Sequence, residues 1–352
     1  MAQRVVLHVG TMKSGTSYVQ ELLFANKGVL AERGVLVAGR THGEQTRAIR
    51  EALGHQAAAS TSPIERWARL VEEIGRYAGT AVISTEFLGP AAPHKIAQVL
   101  ESFDNVTVVV TARDLNRNLA AMWQETVQNG RSWSMADYLH GAETWRPRAQ
   151  RSPDDLTLAG KTFWRQQNLV RLCRNWSAGP ARLVVVTVPP PGAPRETLRD
   201  RFLSVLGTTA DGLTETTRAN ESIGAASVQV LRRLNELLDA EDLEFPVGAS
   251  LRKSVLAKSL MAGRRTQEPA IGLPVAPWVG EYAEIMVAKL GTLDVDLVGD
   301  WADLTPVAVP GADPATIPDS TIAEAAVSAL AGVVAREIRG EGQYFLDGAT
   351  RL

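Results

Sequence analysis

Gly10-Thr11-Met12-Lys13-Ser14-Gly15-Thr16-Ser17 is the stretch of this chain best equipped for chemistry. It follows the apolar run Val5-Val6-Leu7-His8-Val9 and opens into a helical pattern with Tyr18, Val19, Leu22 and Leu23 on one side. A strand, a tight turn and a helix in that order offer an anion both backbone N–H groups and a helix N-terminus, so the loop suits a phosphate. The loop that binds nucleoside triphosphates reads G-x-x-x-x-G-K-[ST]. Gly10 and Gly15 match its spacing and Ser17 its last position, but Thr16 stands where the lysine belongs. The one lysine, Lys13, lies inside the loop, which argues against ATP or GTP hydrolysis. The bland alternative is a glycine-rich turn with a solvated lysine.

Lys13-Ser14-Gly15-Thr16 at the end of a first strand resembles the 5′-phosphosulfate loop of sulfotransferases that use 3′-phosphoadenosine 5′-phosphosulfate (PAPS). Sulfuryl transfer builds negative charge on the oxygen that bridges to the leaving phosphate. A cation held there stabilises the transition state more than the ground state. The resemblance implies that Lys13 supplies this charge and that Thr11, Ser14, Gly15, Thr16 and Ser17 cradle the 5′-phosphate. It also implies that Arg113, in Thr111-Ala112-Arg113-Asp114-Leu115, holds the 3′-phosphate. The planar guanidinium fork meets phosphate oxygens bidentately. The family places a serine eight residues beyond this arginine, and here that position is Ala121. Asn118 and Gln124, three residues to either side, are the neighbours able to substitute. The competing reading of Arg113-Asp114 is a surface ion pair at a helix start.

An acceptor hydroxyl must lose its proton as it attacks sulfur, so a base within hydrogen-bond reach helps. The family uses a histidine or a glutamate for this. In the glutamate type the residue lies near the end of a central strand, as Glu86 does after Val82-Ile83-Ser84. His8 is the rival base, although a mid-strand histidine is more often a hydrogen-bonded core residue. Glu86 has its own bland alternative, a cap or ion pair at the next turn.

Beyond the loop, the chain resembles a group of actinobacterial sulfotransferase-like proteins. The matching segments are Leu7 to Thr16, Val82 to Leu88, and Thr111 to Leu115 with Trp123-Gln124-Glu125. Further matches are Val186 to Gly192, Asn220 to Gly224, and Val298-Gly299-Asp300-Trp301, so the resemblance spans most of residues 1 to 305. It implies a P-loop-type α/β fold, PAPS as donor, 3′,5′-bisphosphoadenosine as product, and a hydroxyl of a small molecule, glycan or glycolipid as acceptor. No metal is required, because lysine and helix-end dipoles meet the charge. Two other classes stay open: a P-loop small-molecule kinase, which needs Mg²⁺ and a lysine near Thr16, and a non-catalytic nucleotide-binding protein on the same fold.

Short apolar strands separated by helical segments predict the scaffold for these residues, a parallel sheet with helices on both faces. Strands are expected over Val5–Val9, Thr80–Ser84, Asn105–Thr111 and Arg182–Val188. Ser62-Pro63-Ile64-Glu65 reads as a capping box for a helix through Tyr77, and Asp114 as the cap of a helix carrying Leu119, Met122 and Val127. The α/β core is placed at 1–215. A mainly helical region follows at 216–352, with an apolar stripe Val228, Leu231, Leu234, Leu237, Leu238 and helices near 250–262, 278–290 and 319–339. Five of the eight tryptophans fall between Trp123 and Trp176, and with Tyr138 and Phe163 they could line an acceptor pocket or simply fill a core. Arg252, Lys253, Lys258, Arg264 and Arg265 read as a solvated helix face or as a further anion contact.

A formal charge of -2 removes any whole-chain case for nucleic acid or an anionic membrane. The single cysteine, Cys173, excludes an internal disulfide and a Cys-rich zinc site, and suits a reducing cytoplasm. The first strand begins almost at residue 1, which predicts no signal peptide. No apolar run approaches the roughly 20 residues of a membrane span.

Overall fold

Six short strands, most of them β-branched and apolar, pair in parallel into one sheet with helices around it in this computed structural model. The structure describes residues 2–55, 65–147, 157–215, 222–241, 243, 248 and 251–340. The strands are β1 (Arg4–Gly10), β2 (Val35–Val37), β3 (Thr80–Ser84), β4 (Val106–Ala112), β5 (Arg182–Thr187) and β6 (Asp296–Val298). They lie side by side as β2-β3-β1-β4-β5-β6. Every residue of β4 is buried, as are Val5 to Gly10 of β1. A parallel sheet covered on both faces requires such unbroken apolar strands, which is why these segments do not alternate.

The chain leaves β1 toward β2 and β3 on one side, then crosses to β4, β5 and β6 on the other. The order therefore reverses around β1 and β4. In open α/β sheets, ligands sit outside the carboxyl ends of the strands at such a reversal.

The helices are α1 (Thr16–Ala25), α2 (Lys27–Glu32), α3 (His42–Ala52), α4 (Arg66–Gly75), α5 (Pro93–Leu100), α6 (Leu115–Gln128) and α7 (Met135–Thr144). They continue with α8 (Leu158–Gln167), α9 (Leu169–Trp176), α10 (Glu196–Leu206), α11 (Ala225–Ala240), α12 (Pro277–Leu290) and α13 (Asp319–Ile338). Val19, Leu22 and Leu23 of α1 and Leu198, Phe202 and Leu203 of α10 bury one side of the sheet against Val6, Val82, Val109 and Val184. Full burial of each such side chain contributes about 1.5–3 kcal/mol, so α1 and the loop before it are anchored to the strands. No helix among the described residues is long and apolar enough to cross a membrane.

All four expected strands form. Two more, β2 and β6, went unread because three residues carry too little pattern to see. The expected Ser62–Glu65 capping box lies outside the described residues except for Glu65, and the helix behind it is α4. Asp114 is buried immediately before α6, where a cap was expected.

The contacts divide the chain into two compact units. One comprises Met1–Leu115, Arg165–Asn220 and Pro277–Pro306 and contains the whole sheet; the other comprises Asn116–Trp164, Glu221–Ala276 and Val307–Leu352. Helices at Pro277–Leu290 and Asp319–Ile338 match expectation, whereas residues 251–261 wind as a π-helix. The apolar stripe of α11 is corrected toward its C-terminal end. Val228 and Leu231 are buried, but Leu237 is 68% exposed, and Asn235 takes the core position, its side-chain amide donating to the carbonyls of Val127 and Arg131 at 2.9 Å each.

Candidate functional site

Lys13, Glu86 and Arg113 follow β1, β3 and β4, three adjacent strands, and all belong to the unit that holds the sheet. The loop between β1 and α1 owes its shape to three residues with positive φ: Gly10 at 110°, Lys13 at 62° and Gly15 at 81°. Lys13 is the one non-glycine residue with positive φ among those described. Such a conformation costs an L-residue about 1–2 kcal/mol and gathers at ligand sites. Gly15 is required on a second ground, because a Cβ there would sit 2.4 Å from Leu198 Cδ2 of α10. The loop runs straight into α1, whose first N–H groups have no partner within the helix.

Neighbouring elements fix this loop. Thr11 N–H donates to the Thr111 carbonyl of β4 at 2.8 Å. Arg113 Nη1 donates to the Lys13 carbonyl at 3.1 Å, and Gln167 Nε2 to the Met12 carbonyl at 2.8 Å. Ser14 is buried, and its hydroxyl donates to the Thr11 carbonyl at 2.5 Å while meeting Thr111 Oγ1 at 2.7 Å. The Ser14 hydroxyl is therefore committed to the loop itself. Thr11 and Thr16 are buried, and Ser17 and Lys13 are half-buried.

His8 sits under the loop with no exposed surface. Its Nδ1 meets Ser84 Oγ at 2.7 Å and its Nε2 meets Thr111 Oγ1 at 3.1 Å, while the Phe202 ring lies 5.0 Å away. With Ser84 donating to Nδ1, Nε2–H donating to Thr111 Oγ1 and Ser14 donating to the Thr11 carbonyl, the Thr111 hydroxyl proton has two acceptors in reach, Ser14 Oγ at 2.7 Å and the Gly10 carbonyl at 3.2 Å. Burial lowers the imidazole pKa to about 3, so the ring is neutral at physiological pH. His8 thus ties β1 to β3 and β4 through hydrogen bonds beneath the loop and is sealed from solvent.

Glu86 opens the 3₁₀ turn Glu86–Leu88 and is half-buried. Its Oε2 accepts from Gln20 Nε2 of α1 at 2.7 Å, and a Cβ on Gly10 would lie 3.4 Å from Glu86 Cβ. Loop and carboxylate are thus immediate neighbours. The half-buried His42 of α3 lies close enough to feel this carboxylate: burial lowers its pKa, and Glu86 opposes that shift. Gln20 and His42 were not singled out from sequence. Glu86 lies 66 positions beyond Gln20 and is likewise remote from His42 along the chain, so no local motif joins them.

Ala121 falls on α6 in the other compact unit, half-buried between Asn118 and Gln124, both buried. Gln124 Nε2 donates to the Ile223 carbonyl at 2.8 Å. Much of the tryptophan-rich region is core: Trp123, Tyr138 and Phe163 have no exposed surface, and Tyr138, Phe163 and Trp164 meet edge to face, whereas Trp133 and Trp145 are half-buried. The solvated-face reading of the basic segment gives way at Arg252, which is 2% exposed, and at Lys253, which pairs with Glu125. Cys173 is buried, and its thiol pKa is pushed up to about 12, which removes it as a nucleophile. Among the described residues, no group of three or more His, Cys, Asp or Glu side chains gathers as a metal site.

No family model, curated protein or solved structure matches this chain.

Proposed function

We propose that this chain is a PAPS-dependent sulfotransferase built on a P-loop-type α/β core. The observation that carries the reading is the convergence of a glycine loop bearing Lys13, the Glu86 carboxylate and the Arg113 guanidinium at the ends of adjacent strands β1, β3 and β4. The loop fits an anion because it combines left-handed residues with the start of α1. Its cation is Lys13 rather than a lysine at Thr16, which favours sulfuryl over triphosphate chemistry.

In this reading the loop N–H groups bind the 5′-phosphate, with Thr16 and Ser17 beside them. Lys13 meets the charge that develops on the leaving oxygen as its bond to sulfur breaks. Arg113 grips the 3′-phosphate through its guanidinium fork, which the Lys13 carbonyl helps to orient. Glu86 takes the acceptor's proton as the new oxygen–sulfur bond forms. His8 supports the loop instead of serving as base. The acceptor is a hydroxyl of a small molecule or glycan, and the chemistry calls for no metal. A cytoplasmic location agrees with a buried, unpaired Cys173.

Thermal-shift titration against 3′,5′-bisphosphoadenosine, AMP, ADP, ATP and GTP tests the donor. Stabilisation is expected to be largest with bisphosphoadenosine and to be independent of Mg²⁺. A preference for ATP that depends on Mg²⁺ would instead identify a kinase. Transfer from radiolabelled PAPS to a panel of alcohols, phenols and sugars tests the reaction, and binding without any transfer would mark a non-catalytic protein.

A further inference from the structure

We propose that Gln20 is the positioning residue of the base, locking the Glu86 carboxylate through Oε2 so that Oε1 receives the acceptor's proton. This inference rests on the reading of Glu86 as base.

Gln20 lies one turn into α1 and is 5% exposed. Its Nε2 donates to Glu86 Oε2 at 2.7 Å and reaches the Ser84 carbonyl at 3.5 Å. Both partners are acceptors, so the NH₂ end of the amide must face them; a flipped amide would set its oxygen against two oxygens. Gln20 is thus a fixed donor, and Glu86 is held from the side of α1. The adjoining elements carry several titratable groups: His42, Glu44, Arg47, Arg50 and Glu51 on α3, Glu21 on α1, Arg4 on β1, Lys13 in the loop, and His8 on β1, which is neutral and engaged with Ser84 and Thr111; of the acids and bases on α3, His42 is the one that feels the Glu86 carboxylate. Arg50 of α3 lies over the adjacent Phe87 ring at 5.8 Å.

The placement on α1 gives the contact its meaning. The N-terminus of this helix closes the anion loop, and its fifth residue clamps the base. One rigid element therefore carries both the donor-phosphate cradle and the orientation of the proton acceptor. A base misplaced by about 1 Å can cost about 10²-fold in rate, so a single buried amide suffices to matter. The carbonyl that Gln20 also approaches belongs to Ser84, the residue whose hydroxyl engages His8. Base, clamp and loop are thereby joined in one hydrogen-bonded body.

The test is a set of four variants assayed with radiolabelled PAPS, with bisphosphoadenosine affinity and melting temperature measured alongside. Gln20→Met keeps volume but removes the donor; kcat is expected to fall about tenfold or more, with bisphosphoadenosine affinity unchanged. Gln20→Glu sets two carboxylates at hydrogen-bond distance and should lower the melting temperature at neutral pH. Adding Glu86→Gln to that variant exchanges the two partners and should recover part of the melting temperature, the Ser84 carbonyl staying without its donor, while kcat stays as low as in Glu86→Gln alone. Wild-type kcat in Gln20→Met, with Glu86→Gln inactive, overturns this inference and leaves the base reading intact. Full turnover in Glu86→Gln, or a wild-type chain that binds bisphosphoadenosine but transfers nothing, sinks the base reading and the inference together.

Discussion

Replacing His8 with Asn should flatten the acid side of the stability curve. The imidazole is fully buried between two hydroxyls and the Phe202 ring, and burial lowers its pKa from 6.5 to about 3. The unfolded chain therefore takes up a proton near pH 6.5 that the native chain refuses until about pH 3. Stability contributed by neutral His8 is fully present above pH 6.5 and drains away as pH falls toward 3. Each pH unit in that window costs about 1.4 kcal/mol. From about pH 6.5 to about pH 4.5 the wild-type chain should thus lose about 2–3 kcal/mol through this residue alone. His8→Asn should be less stable at neutral pH, because it leaves one of Ser84 and Thr111 poorly paired. Its further loss on acidification should be smaller than that of wild type by that same amount. Urea denaturation at a series of pH values, followed by tryptophan fluorescence, measures both curves, and their difference cancels the carboxylates common to the two proteins. Parallel curves would refute the argument, since they would mean that His8 titrates alike in the folded and unfolded chains.

Gly15→Ala should cost about 1–3 kcal/mol in chemical denaturation, from the close approach to Leu198 Cδ2 and the positive φ together; Leu198→Ala in the same chain should recover none of the φ cost. Lys13→Ala should lower turnover by about 10²-fold or more while changing bisphosphoadenosine affinity far less, and near-normal turnover would remove Lys13 from the reaction. Arg113→Ala should weaken bisphosphoadenosine more than AMP in calorimetric titrations. It should weaken AMP as well, because the Lys13 carbonyl loses its donor; equal weakening would reduce Arg113 to a loop clamp. Gln124→Ala should lower stability, since its amide is occupied by the Ile223 carbonyl.

What the sequence determined by itself was the four longer strands of the sheet and the loop. Val5–Val9, Thr80–Ser84, Asn105–Thr111 and Arg182–Val188 announce buried parallel strands, because such strands must be apolar on both faces and local composition records that directly. The spacing of Gly10 and Gly15 announced the loop, because positive φ favours glycine at both positions; that Lys13 adopts it too, against the preference of an L-residue, was not legible. The tertiary structure alone decided the partners. Whether a histidine at position 8 is a base or a strut depends on Ser84 and Thr111, which lie 76 and 103 residues away. Arg113 is oriented by a carbonyl 100 residues earlier, and Glu86 meets the Gln20 amide across 66 residues. Of the tryptophans from Trp123 to Trp176, legible as either pocket or core, Trp123, Trp164 and Trp176 are buried, and Trp164 packs on Phe163, while Trp133 and Trp145 stay half-buried. Composition and period are written along the chain, but a hydrogen bond between distant side chains depends on how the strands are ordered. That order, β3-β1-β4 around the loop, arises only when the sheet assembles.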